Sequence, residues 1–114
     1  EKYFERAIHH ELFHIINDSY KELFNENIWK DFNKKNFEYS KCSTCNNNWN
    51  LNLLDDQGGF FTEYAKSTVS EDMAEVFSHL IFYQDEIDTK DPIIKKKILF
   101  IKESILSIDD TFNF

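Results

Sequence analysis

Two glycines and one proline in 114 residues leave few places where the backbone can turn sharply, so long helices are favoured. Twelve Phe, five Tyr and two Trp supply bulky packing groups, and the expected fold is mainly α with an aromatic core. A chain of this length makes one domain. Thirteen basic against 21 acidic residues give a net charge of −8, which excludes a general binder of phosphate backbones and so a nucleic-acid partner. No stretch approaches the roughly 18 apolar residues of a membrane span. The excess of Lys over Arg, with many Ile and Asn, reads as AT-rich coding rather than function. Two cysteines, Cys42 and Cys45, are too few for a disulfide framework and leave the compartment open. The chain opens Glu1-Lys2-Tyr3, without an initiator Met or a signal-peptide pattern, and a piece of a longer protein is expected.

No repeat or linker divides the chain. Phe4, Ile8, Leu12, Ile15 and Leu23 recur at helical spacing, predicting an amphipathic helix over about Tyr3–Phe24 with these residues inward. A shorter helix is expected over Ile28–Lys35, then a polar loop to about Phe61. Within that loop Trp49, Leu51 and Leu53 alternate ahead of Asp55-Asp56-Gln57-Gly58-Gly59, the pattern of at most a short β-hairpin. A second helix is predicted over Ser70–Ile87, capped by Ser70, with Glu71 and Asp72 in its first turn and Met73, Val76, Phe77, Leu80 and Ile81 inward. The third begins at Asp91-Pro92 and turns Ile94, Ile98, Ile101, Ile105 and Ile108 inward. Lys95-Lys96-Lys97 reads as a solvated face, and Asp109–Phe114 carries no signal.

The chemistry is concentrated in His10-Glu11-Leu12-Phe13-His14, an HExxH string. On a helix, residues i and i+4 share a face, so His10 and His14 can offer two imidazole nitrogens to one ion. Glu11 sits beside them, able to take a proton from a metal-bound water without ligating. Zinc suits such a donor set, and one such string is expected by chance about 0.01 times in a chain of this composition. A third ligand must come from elsewhere. Glu71, Asp72, Glu75 and His79 are the candidates, of which Asp72 points away and is better placed to cap. Glu71 and His79 lie about 12 Å apart along a helix, too far to share one zinc. One carboxylate would bind metal while the other, a turn on, accepts from a ligating imidazole.

His10-Glu11-x-x-His14, followed by Tyr64-Ala65-Lys66-Ser67-Thr68-Val69-Ser70-Glu71-Asp72-Met73-Ala74-Glu75-Val76-Phe77, resembles the gluzincin branch of zinc metallopeptidases. The resemblance is to the catalytic domain of anthrax lethal factor, the Pro-Pro endopeptidases and the bacterial putative zinc-binding metallopeptidases. It spans about Ala7–Leu80 and implies one zinc per chain, with His10, His14 and Glu71 as ligands and Glu11 as general base. Tyr64, seven residues before Glu71, would donate to the oxyanion, and Glu75 would be the acceptor behind a ligating histidine. Cys42-Ser43-Thr44-Cys45 lies outside the family pattern, and a local disulfide or free thiols suit it better than a second metal site.

In zincin folds a sheet precedes the metal-binding helix. Only nine residues precede His10, so the expectation is the helical metal-binding part of such a fold without that sheet. The expected function is zinc-dependent hydrolysis of a peptide or protein substrate. The alternative is a non-catalytic interaction module that keeps a structural zinc, which would need neither Glu11 nor Tyr64. Secretion or an envelope location follows from the family analogy alone, and the oligomeric state is left open.

Overall fold

The computed structural model describes residues 2–40, 42, 44, 51–54, 58–83 and 90–114. Among the described residues there are four α-helices, α1 (Lys2–Ser19), α2 (Glu26–Lys30), α3 (Val69–Tyr83) and α4 (Pro92–Ile108), and one 3-10 turn at Tyr64–Lys66. The mainly helical expectation holds. α3 is the centre, packed by α1, α4, α2 and the 3-10 turn, and its residues from Glu71 to Leu80 are all buried. A helix covered on every side needs neighbours on every side, and here it has them.

Capping residues set the starts. Asn25 Oδ1 accepts from Asn27 N and Ile28 N, beginning α2 two residues earlier than its apolar spacing suggests. Asp91 Oδ1 accepts from Ile93 N and Ile94 N, with Pro92 behind it, as expected. At α3 the cap is Thr68, whose Oγ1 accepts from Glu71 N, and not Ser70. α1 ends at Ser19 and gives way to turns closed by Leu23 N and Phe24 N, short of the expected Phe24. The hairpin reduces to one antiparallel bridge, Leu53 with Thr62, and a bond from Leu54 N to Phe61 O. Trp49, Cys45, residues 55–57 and the predicted helix end at Ile87 lie outside the described residues.

The inward face of α1 is a correction to the sequence reading. Phe4 is 70% exposed, Ile8 52%, Leu12 42% and Ile15 65%, whereas Arg6, His10 and Phe13 are buried against α3. The helical period is right, but the face turned to α3 is the one carrying the two histidines. A helix cannot aim both faces at one neighbour. Phe13 anchors it, edge-on to Phe24 and tilted against Phe77.

Two further expectations fail together. Lys95 and Lys96 are exposed as expected, but Lys97 is fully buried, not solvated, and Asp72 is fully buried, not a cap. Lys97 Nζ donates to Asp72 Oδ2 and to Gly59 O, each at 2.7 Å, and lies 3.9 Å above the Phe60 ring. Trp29 Nε1 and the Tyr39 hydroxyl donate to the same Asp72 oxygen at 2.9 and 2.6 Å. Burial pushes the Asp72 carboxyl up and the Lys97 ammonium down, while each ion favours the charged form of the other. The tail also contributes, since Phe112 and Phe114 pack onto the core. Cys42 is disulfide-bonded, so its sulfur is no metal ligand. Among the described residues no helix is long and apolar enough to cross a membrane.

Candidate metal centre

His10 and His14 stand one turn apart on the buried side of α1, with ring centroids 4.9 Å apart. Glu71, in the first turn of α3, brings Oε1 between them, 3.0 Å from His10 Nε2 and 2.5 Å from His14 Nε2. The two Nε2 atoms are 3.1 Å apart. Three ligand-type atoms from two helices therefore converge within hydrogen-bond distance of one another. Tetrahedral zinc, with bonds of about 2.0–2.1 Å, sets its ligands about 3.3 Å apart. The 3.0 and 3.1 Å sides approach that spacing, and the 2.5 Å side from Glu71 to His14 would have to open to reach it.

The outer ring nitrogens are fixed by hydrogen bonds. His10 Nδ1 lies 3.0 Å from Glu75 Oε2 and donates to it, leaving Nε2 to the centre. His14 Nδ1 lies 3.1 Å from Ser70 Oγ, which is in turn reached by Asn17 Nδ2. Glu75 is steadied on its other oxygen by the Thr62 hydroxyl at 2.8 Å, with Arg6 Nη2 at 3.9 Å. Second partners of this kind hold the tautomer and ring angle of a ligating histidine.

The electrostatics suit a cation. Burial opposes a charge on His10, but Glu71 and Glu75 overcome it and raise its pKa to about 9. Burial likewise opposes ionisation of Glu71, yet hydrogen bonds from His10, His14 and Tyr64 hold its carboxyl well below the usual range. Glu75 is kept ionised against burial by His10, His79 and Thr62. Two buried carboxylates with few counter-charges draw positive charge to this spot, as protons or as a divalent ion. The residues present fit zinc.

Each residue singled out in the sequence now has a place. His10, Glu11 and His14 offer ligand atoms within 4.8 Å of one another, and the Glu11 side chain is exposed beside the buried His10. Glu71 joins the histidines, and Glu75 stands one turn behind. Tyr64 meets the same carboxylate from the other side, its hydroxyl donating to Glu71 Oε2. His79 is not brought to the centre. It stacks between Phe61 and Tyr83, its Nδ1 donating to Glu75 O. Ser70, Asn17, Thr62 and Arg6 were not expected here. Ser70 reads as a cap in sequence, and nothing in the local pattern of the others signals a long-range partner.

Over residues 1–102 the chain matches a family described as putative zinc-binding metallopeptidase. The chain belongs to that family. Its metallopeptidase character agrees with the histidine pair and the acidic residue beside it. No curated protein and no solved structure matches the chain.

Proposed function

We propose that the chain is the metal-binding part of a gluzincin-type zinc metalloendopeptidase, with His10, His14 and Glu71 as the ligands of one zinc. The observation that carries this is the convergence of His10 Nε2, His14 Nε2 and Glu71 Oε1 to within 3.1 Å while both Nδ1 atoms are engaged elsewhere. When bound, zinc supplies a Lewis acid for the scissile carbonyl and lowers the pKa of its water. Glu11, exposed and adjacent, accepts the proton of the attacking water and returns it to the leaving amine. Tyr64 gives its phenol proton to a hydrogen bond with the tetrahedral oxyanion, for which it leaves Glu71 Oε2. Glu75 holds His10 in register throughout.

A structural zinc in an interaction module is the alternative from sequence. It gives Glu11 no task, and structural sites close the fourth position that an exposed Glu11 leaves accessible. The Cys42 disulfide fits an oxidising, secreted or envelope setting. Substrates are peptides or proteins.

Elemental analysis of metal-free chain refolded with zinc tests the ligand set. One zinc per chain is expected, lost in His14→Ala and Glu71→Gln and kept in Glu11→Gln. In an active preparation Glu11→Gln lowers turnover by about 10²–10⁴ and Tyr64→Phe by about 10²–10³, with zinc retained in both. Zinc stoichiometry indifferent to His14→Ala overturns the reading, and zinc loss in Glu11→Gln reassigns that residue as a ligand.

A further inference from the structure

Thr62 is fully buried and its hydroxyl serves two structures at once. It donates to Glu75 Oε1 at 2.8 Å, and it accepts from Ala65 N at 3.1 Å. The first bond fixes the carboxylate whose other oxygen takes His10 Nδ1. The second engages an amide inside the 3-10 turn that carries Tyr64, whose hydroxyl reaches Glu71. The turn itself is closed by backbone bonds, and the Thr62 hydroxyl shares the Ala65 amide with the Thr62 carbonyl. The backbone of Thr62 is itself held, by the bridge to Leu53 and by Ala65 N on its carbonyl. A hydroxyl has one proton to give, and here the proton and a lone pair are both committed.

We infer that Thr62 is a positioning residue for the metal centre, setting the angle of the His10 ring through Glu75 and the seat of Tyr64 through the 3-10 turn. This rests on the zinc reading above. A carboxylate pinned at one oxygen only can rotate about its last torsion, which is broad for Glu, and the imidazole bonded to the other oxygen follows it. The Thr62 bond removes that freedom. The Ala65 bond ties the same atom to the next residue after Tyr64, so both sides of Glu71 are referred to one point in the fold.

The experiment is zinc affinity of the full chain, measured by competition with a chromogenic chelator, for the parent, Thr62→Val and Thr62→Ser. Valine keeps the shape and removes the hydroxyl, and affinity should fall measurably, by about 3- to 10-fold, less than the about 10- to 100-fold of losing Glu75, the partner directly behind His10. Serine keeps the hydroxyl and should restore the parent's affinity. In a Glu75→Gln background Thr62→Val should add little, because the two act on His10 in series, whereas an unrelated packing defect adds in full. If the valine variant does not fold, Thr62→Ala removes the same hydroxyl and is held to the same outcomes. Parent affinity in a folded hydroxyl-free variant, or a loss that serine does not reverse, overturns the role of Thr62 and leaves the zinc reading standing. A parent chain that takes no zinc overturns both.

Discussion

His79 sits between the rings of Phe61 and Tyr83 with its Nδ1 on the Glu75 carbonyl, and burial lowers its pKa to about 4 against an ordinary 6.5. The unfolded chain therefore takes up this proton first as pH falls. Stability owed to neutral His79 is complete above pH 6.5 and is lost between there and about pH 4, a total of about 3 kcal/mol. In metal-free protein the raised pKa of His10 acts in the opposite direction at the top of that window and adds no slope once the unfolded imidazole is also protonated, about one pH unit below 6.5. Urea midpoints from pH 7 to 4 should fall more steeply for the parent than for His79→Phe, and equal slopes count against the assignment. At this scale the HExxH string was legible because its geometry is local, two side chains one turn apart on one helix. Spacing alone left Glu71, Asp72, Glu75 and His79 open, and the family resemblance implied Glu71. Which of them stands nearest the histidines depends on the rotation of α3 against α1, and the partners Ser70 and Thr62 on the packing itself.

Among the helices, existence and approximate span followed from spacing and caps, but facing did not. α1 has two faces with helical repeat, the apolar set Phe4, Ile8, Leu12 and Ile15 and the buried set Arg6, His10 and Phe13. Hydrophobicity chooses the first, and the structure turns the second toward α3. Substitution should report which face bears the load. Ile8→Lys and Ile15→Lys should each change stability by no more than about 0.5 kcal/mol, as exposed sites do, while Phe13→Ala should cost about 3–5 kcal/mol. Thermal melts decide it, and a large loss at Ile8 or Ile15 would mean that this face is covered in solution. On α4 the apolar spacing was right at Ile94, Ile101 and Ile105. Lys97 lies on that same stripe, three residues after Ile94 and four before Ile101, so its burial was readable from position though not from residue type.

Across the whole molecule, the Lys97–Asp72 pair joins α4 to α3 and, through Gly59 O and the Phe60 ring, to the segment leading into Thr62 and Tyr64. All three donors fall on Asp72 Oδ2, Oδ1 being buried without a hydrogen bond, and Lys97 is the only cation among them. Lys97→Met should cost about 3–5 kcal/mol because it strands a buried carboxylate, and adding Asp72→Asn should recover part of the loss. Chemical denaturation of both variants measures this, and a Lys97→Met chain as stable as the parent would show that the pair is dispensable. Such a pair is beyond single-sequence reading, because its partners lie 25 residues apart and meet only after α3 and α4 have packed.

Gly59 carries a consequence for how the protein is made. Its φ of +98° suits glycine, a Cβ there would come within 2.8 Å of Ile93 Cγ2, and its amide and carbonyl are held by Asp91 and Lys97. All three proposed zinc ligands precede Pro92 in the chain, yet the clamp on the segment that leads to Thr62 and Tyr64 is built from Asp91 and Lys97. A nascent chain can display the histidines and Glu71 well before that segment is fixed. Completion of the centre therefore waits on α4, the helix whose cap and first turns carry Asp91 and Lys97 to Gly59.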